Sequence, residues 1–121
     1  MADKRAKVIH SRTANVIATN MKYATSFKDR LIGLMFKERM EGFDGLLIRP
    51  CNSIHTFFMK YNIDVIFLNR DNKIVKIVKD LRPWRMTWIK FSADKVLELN
   101  SNVVSGDIEV NDTLELSLIH I

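Results

Sequence analysis

The sequence predicts an α+β domain: a mostly antiparallel, strongly coiled or partly barrel-like sheet with one amphipathic helix near the N-terminus. Three observations predict it. Short runs rich in β-branched and aromatic residues recur along the chain, separated by turn residues. One stretch instead places apolar residues at helical spacing, Phe27, Leu31, Leu34 and Met35. The last run alternates cleanly through Leu114, Leu116 and Leu118, as a half-buried strand does.

Residues 6–10 and 15–19 flank the polar Ser11-Arg12-Thr13, which predicts a hairpin. The charged residues 1–6 are expected to form a flexible tail. Ser26 is placed to cap a helix, with Asp29 near its positive dipole end. Gly33 inside that helix costs about 1 kcal/mol relative to Ala, which implies close packing on the sheet. Glu41-Gly42-Phe43-Asp44-Gly45 ends the helix and leads into a strand over residues 46–49. Residues 54–59, 63–68 and 74–78 read as a three-stranded meander, turning at Lys60-Tyr61-Asn62 and Asn69-Arg70-Asp71-Asn72. Strands over residues 96–99 and 113–119 complete the sheet. Within this series, residues 45–68 are expected to form a buried strand pair that carries most of the site-like residues.

The chain has 121 residues, so residues 1–121 are expected to form a single domain able to bury a sizeable core. Its composition, 47% hydrophobic and 27% charged, is globular rather than disordered. The longest apolar runs are about five residues, against the roughly 20 that span a bilayer. No signal-peptide pattern opens the chain. A single cysteine, Cys51, rules out an intrachain disulfide and suits a reducing compartment. One Cys and three His are too few for a standard structural zinc site, and no cofactor is implied. A soluble cytoplasmic protein is the expectation.

The charge is uneven. Residues 70–90 hold seven cations against two acids, a net +5 that equals the formal charge of the whole chain. Any anion-binding face is expected there.

Read as strands around a turn at residues 60–62, the centre puts His55 and Asp64 in an apolar setting where each needs a partner. A catalytic reading takes Cys51 as nucleophile, His55 as its base and Asp64 as the orienting acid. Cys51 and His55 are about 13 Å apart on an extended chain, and a three-residue turn sends His55 and Asp64 to opposite faces. A small buried Cys, a hydrogen-bonded core His and a structural Asp64 fit better, so no catalytic residue is assigned. Arg82-Pro83-Trp84-Arg85-Met86-Thr87-Trp88 interleaves guanidinium groups with indoles, a pattern suited to carboxylates, phosphates or stacked bases. The favoured reading is a non-catalytic module binding a small anionic ligand or a peptide end. Its groove would be lined by His55, Phe58, Trp84 and Arg85, with Cys51 and Asp64 nearby. An enzyme using Cys51 and His55, and a nucleic-acid binder using residues 70–90, are the alternatives.

Several spaced motifs also resemble the bacterial and archaeal "domain of unknown function 192" family. They are Arg30-x-x-Gly33-Leu34-Met35, Ile54-His55-Thr56-Phe57-Phe58-Met59, Ile63-Asp64-Val65-Ile66-Phe67-Leu68, Pro83-Trp84-Arg85, Val96-Leu97-Glu98-Leu99 and the Asp112 turn. The resemblance covers nearly the whole chain from about Ala14. Asn102 and Asn111 stand where the family usually has Gly, and Asn is the next most tolerant of positive φ. The resemblance implies a fold and supplies no reaction.

Overall fold

The structure, a computed structural model, describes residues 4–25 and 34–120. Seven strands follow in order: β1 (Lys4–His10), β2 (Val16–Ala24), β3 (Gly45–Ile48), β4 (Ile63–Leu68), β5 (Ile74–Leu81), β6 (Lys95–Asn100) and β7 (Leu114–His120). They make one sheet in the order β5-β4-β6-β3-β2-β1-β7. Only β2 and β3 pair in parallel.

Among the described residues the architecture is all-β, which corrects the α+β expectation. No helical element lies among them. Of the expected amphipathic stripe, Phe27 and Leu31 fall outside the described residues. Leu34 and Met35 are buried, and the chain turns at once through Phe36 at a φ of 64°. Leu34 packs with Met40, Ile54 and Met59 on the strands. The burial of Leu34 therefore reports cover for a sheet face. The first strand also begins at Lys4, inside the stretch expected to be a tail.

The sheet curls until its two edges meet. At the start of β5 and β7, Leu114 N–H donates to the Asn72 carbonyl at 2.9 Å and Ile74 N–H to the Asp112 carbonyl at 2.8 Å. Asn111 N–H adds a third bond, to the Ile74 carbonyl, at 2.8 Å. One apolar cluster inside this curl draws on all seven strands, among them Val8, Met21, Leu47, Ile66, Ile74, Leu97 and Leu114. Val104 and Ile108, from the β6–β7 connection, join the same cluster.

A second cluster lies on the opposite face of the middle strands: Leu46 and Ile48 of β3, Ile63, Val65 and Phe67 of β4, and Val96 of β6. It exists because of the strand order. Since β6 sits between β3 and β4, the connection over residues 49–62 must pass across this face. Ile54 and Met59 from that connection are buried in the cluster. Residues 45–68 therefore do not form a strand pair: β3 and β4 each pair with β6, and residues 54–59 are not a strand. The hairpins β1–β2 and β4–β5 agree with the sequence reading. Gly45 marks the tightest approach, since a Cβ there would stand 2.9 Å from the Glu98 carbonyl oxygen and 2.8 Å from Met21 Cε.

Candidate functional site

The connection between β3 and β4 pairs loosely with residues 84–90. Thr87 N–H donates to the Ile54 carbonyl (2.9 Å) and Thr56 N–H to the Arg85 carbonyl (2.8 Å). His55 and Met86 form an isolated antiparallel bridge. Two threonines lock the pairing. The fully buried Thr56 hydroxyl donates to the Arg82 carbonyl at 2.6 Å and accepts from Arg85 N–H at 2.9 Å. Thr87 Oγ1 accepts from Ile54 N–H at 3.0 Å. Side-chain hydroxyls here do the work that regular ladder bonds do elsewhere in the sheet.

On this frame the aromatic rings form a connected run. His55 stacks on Phe57 with centroids 4.8 Å apart, and Phe57 lies 5.9 Å from Trp84. Trp84 meets Phe58 edge-on at 4.7 Å, and Phe58 reaches Phe36 at 5.3 Å. Phe36, Phe58 and Trp84 all hold positive φ, at 64°, 67° and 63°. Such a conformation costs a bulky residue on the order of 1–2 kcal/mol, and surrounding structure must impose it. What it achieves is exposure: the three side chains are 62%, 47% and 56% accessible. Further along the same segment Met86, Trp88, Ile89 and Phe91 are also exposed. Arg82, Arg85 and Lys90 lie in the same stretch, and Arg85 Nη1 folds back only loosely, 3.5 Å from the Pro83 and Trp84 carbonyls.

Four of the six candidates meet here: His55, Phe58, Trp84 and Arg85. Cys51 and Asp64 do not. The Cys51 thiol donates to the Ser53 carbonyl at 3.1 Å and borders a separate cavity of about 200 Å³ with Pro50, Asn52, Ala93 and Asp94. His55 Nδ1 accepts from Phe57 N–H at 3.3 Å. Asp64 is 1% exposed on the inner face of β4, where Oδ1 accepts from Asp80 N–H (2.8 Å) and Oδ2 from Val104 N–H (2.9 Å). Its two oxygens thus tie β4 to β5 and to the β6–β7 connection. Sequence reasoning missed Phe36 and the Thr56 latch. The signal for the strip was present in the density of Trp, Met, Ile and Phe beside Pro83, in the chain's most basic segment.

A second polar group holds the seam of the curl. His10, 1% exposed, joins Thr13 Oγ1 through Nδ1 and Asp112 Oδ2 through Nε2, both at 2.7 Å. Arg12 Nη2 donates to the same carboxylate at 2.9 Å, and Glu109 N–H at 3.0 Å. The Arg12 guanidinium, then the His10 ring, then this N–H hold the Asp112 carboxyl well below the usual carboxylate range. Hydroxyl, imidazole and carboxylate stand in the order of a hydrolase triad. With the imidazole buried away from any substrate, they fasten the β1 end to the start of β7.

Among the described residues no helix is long and apolar enough to cross a membrane. The family model for DUF192, "Uncharacterized ACR, COG1430", matches residues 8–116. A UPF0127 protein of Pyrococcus furiosus is 32% identical over 105 residues, covering 82% of this chain and 88% of that protein. A UPF0127 protein of Pyrococcus horikoshii is 38% identical over 81 residues, covering 64% and 70%. Two crystal structures share the fold. A protein of unknown function from Novosphingobium aromaticivorans has a TM-score of 0.74 at 19% identity, over 92% of this chain and 83% of that one. One described as a putative transcription regulator from Sinorhizobium meliloti has a TM-score of 0.75 at 20% identity, over 95% and 93%. The chain belongs to the uncharacterised DUF192 family.

Proposed function

We propose that this protein is a non-catalytic binding module whose exposed aromatic strip takes an extended, acidic polypeptide segment. One observation carries the reading: Phe36, Phe58 and Trp84 hold positive φ and stand exposed in ring-to-ring contact. Backbone strain that places apolar rings in water is retained where the rings have a partner. The strip is open rather than enclosed, with Phe36 and Trp84 62% and 56% accessible. A small molecule normally buries most of its surface in a concave pocket, so an open ledge suits a longer chain. Net positive charge over residues 70–90 favours a partner carrying carboxylates.

Of the chain's two tryptophans, Trp84 lies in the strip and Trp88 four residues on, so intrinsic fluorescence reports on it. Titration with an octapeptide of alternating Glu and Leu should shift tryptophan emission to the blue and saturate. A Ser-for-Glu version should bind more weakly, and Trp84→Ala should lose the response. No saturable change with the acidic peptide would overturn the reading. A response confined to oligo-dT, steep in salt, would assign the strip to single-stranded nucleic acid instead.

A further inference from the structure

A concavity of about 300 Å³ is lined by four cations, Arg5, Lys22, Lys37 and Arg39, and Lys37 follows Phe36 of the aromatic strip in the chain. Among the described residues Glu41 is the one acid in its wall, and Phe43 supplies an apolar side. We infer that this concavity is a binding site for a phosphate group.

The cations come from three separate places in the chain. Arg5 of β1 and Lys22 of β2 are register partners across adjacent strands, so they project side by side from one face. Lys37 and Arg39 belong to the loop ahead of β3. Lys22 stands over the Phe43 ring at 5.8 Å. Neither Lys22 nor Lys37 has an ion-pair partner among the described residues. Arg39 pairs with Glu41 at 3.3 Å, but both are more than 70% exposed, and such pairs are weak. Like charges gathered around a cavity repel one another, and an anion between them removes that penalty.

The wall is also pinned before any ligand arrives. The Asp44 carboxylate accepts from Thr19 N–H at 2.8 Å and Asn20 N–H at 3.0 Å, clamping the loop to β2. Arg5 Nη1 and Asn20 Nδ2 both donate to the Gly42 carbonyl, at 2.8 and 3.0 Å. Gly42 itself has a φ of +79° and nothing within 4 Å of where a Cβ would stand, which leaves the mouth open. A site fixed in advance spends less of its interaction energy on ordering. Among the described residues, four cations beside one carboxylate match a dianion better than a single carboxylate, and phosphate offers both the charge and the oxygens for Arg and Lys donors.

Calorimetric titration with sodium phosphate, at ionic strength held constant with chloride, tests the site. Saturable binding near one equivalent is expected, with acetate at least tenfold weaker. Lys22→Gln with Lys37→Gln should weaken phosphate at least tenfold. Lys73→Gln with Lys79→Gln removes the same charge from the β5 region and should leave binding unchanged. Lys37→Gln alone, in an exposed loop, carries the test should the first double variant fold poorly. Phenyl phosphate binding more tightly than inorganic phosphate would assign the site to an organic monoester using Phe43. Equal binding would assign it to the free ion. No saturable binding, equal response to acetate, or equal loss in the β5 control would overturn the proposal. The strip's tryptophan fluorescence reads the other site separately, so either can fail alone.

Discussion

β4 and the segment over residues 54–59 are both six residues long and mostly apolar, yet they end in opposite environments. Every residue of β4 is buried, Asp64 included. In the other segment Ile54, Thr56 and Met59 are buried while Phe58 is exposed, and its ring chain runs out to Trp84 and Phe36. Extended backbone alternates side chains between two faces, and β4 has cover on both. Residues 54–59 must instead cross over β6, and a positive φ at Phe58 breaks the alternation. Apolar composition therefore separates core from exposed surface only when backbone geometry is known.

Phe67→Ala should show the largest effect, since it empties a fully buried site in β4 and should cost about 4 kcal/mol in denaturant unfolding. Asp64→Asn comes next. One buried N–H would face an amide donor instead of a carboxylate oxygen, for a loss of about 2 kcal/mol by the same measurement. In the crossing segment, Thr56→Val removes a hydroxyl bonded to Arg82 and Arg85. It should cost about 1 kcal/mol and weaken the fluorescence response to acidic peptide. Trp84→Gly should move stability least, by less than about 1 kcal/mol, because glycine relieves the positive φ while the ring's contacts are lost. That variant should nonetheless lose peptide binding. If Trp84→Gly instead destabilised the protein as much as Phe67→Ala, the strip would be core and its binding role would fall.

The strands that alternate or carry dense β-branched runs were legible in the sequence, namely β1, β2, β4, β5, β6 and β7, with β3 announced by the Gly45 turn. Turn chemistry was legible too: Asn102 and Asn111 both hold positive φ, at 70° and 81°. Strand order was not, because the insertion of β6 between β3 and β4 is a non-local choice that no window of residues encodes. The misreading of residues 54–59 follows from it, since a loop that covers a sheet face is as apolar as a strand within it. The question of turn parity between His55 and Asp64 disappears for the same reason. Long-range polar partners were equally out of reach. Asp64 Oδ2 finds Val104, 40 positions away, and His10 finds Asp112, 102 positions away. Charge asymmetry and the Trp84-Arg85 pattern did point to the exposed strip, because exposure of that kind leaves its mark in composition.

The seam between β5 and β7 has a consequence for how the protein is made. The outer side of β1 is filled only by β7, and β7 is the last of the seven strands to be synthesised. Until it emerges, β1 presents an unpaired edge beside a hairpin already able to form, and the inner core is missing Leu114. The His10–Asp112 fastening then sets in only at the end. Ribosome-bound chains stopped before residue 114 should therefore be protease-sensitive and prone to pair with one another, and chains carrying β7 should not.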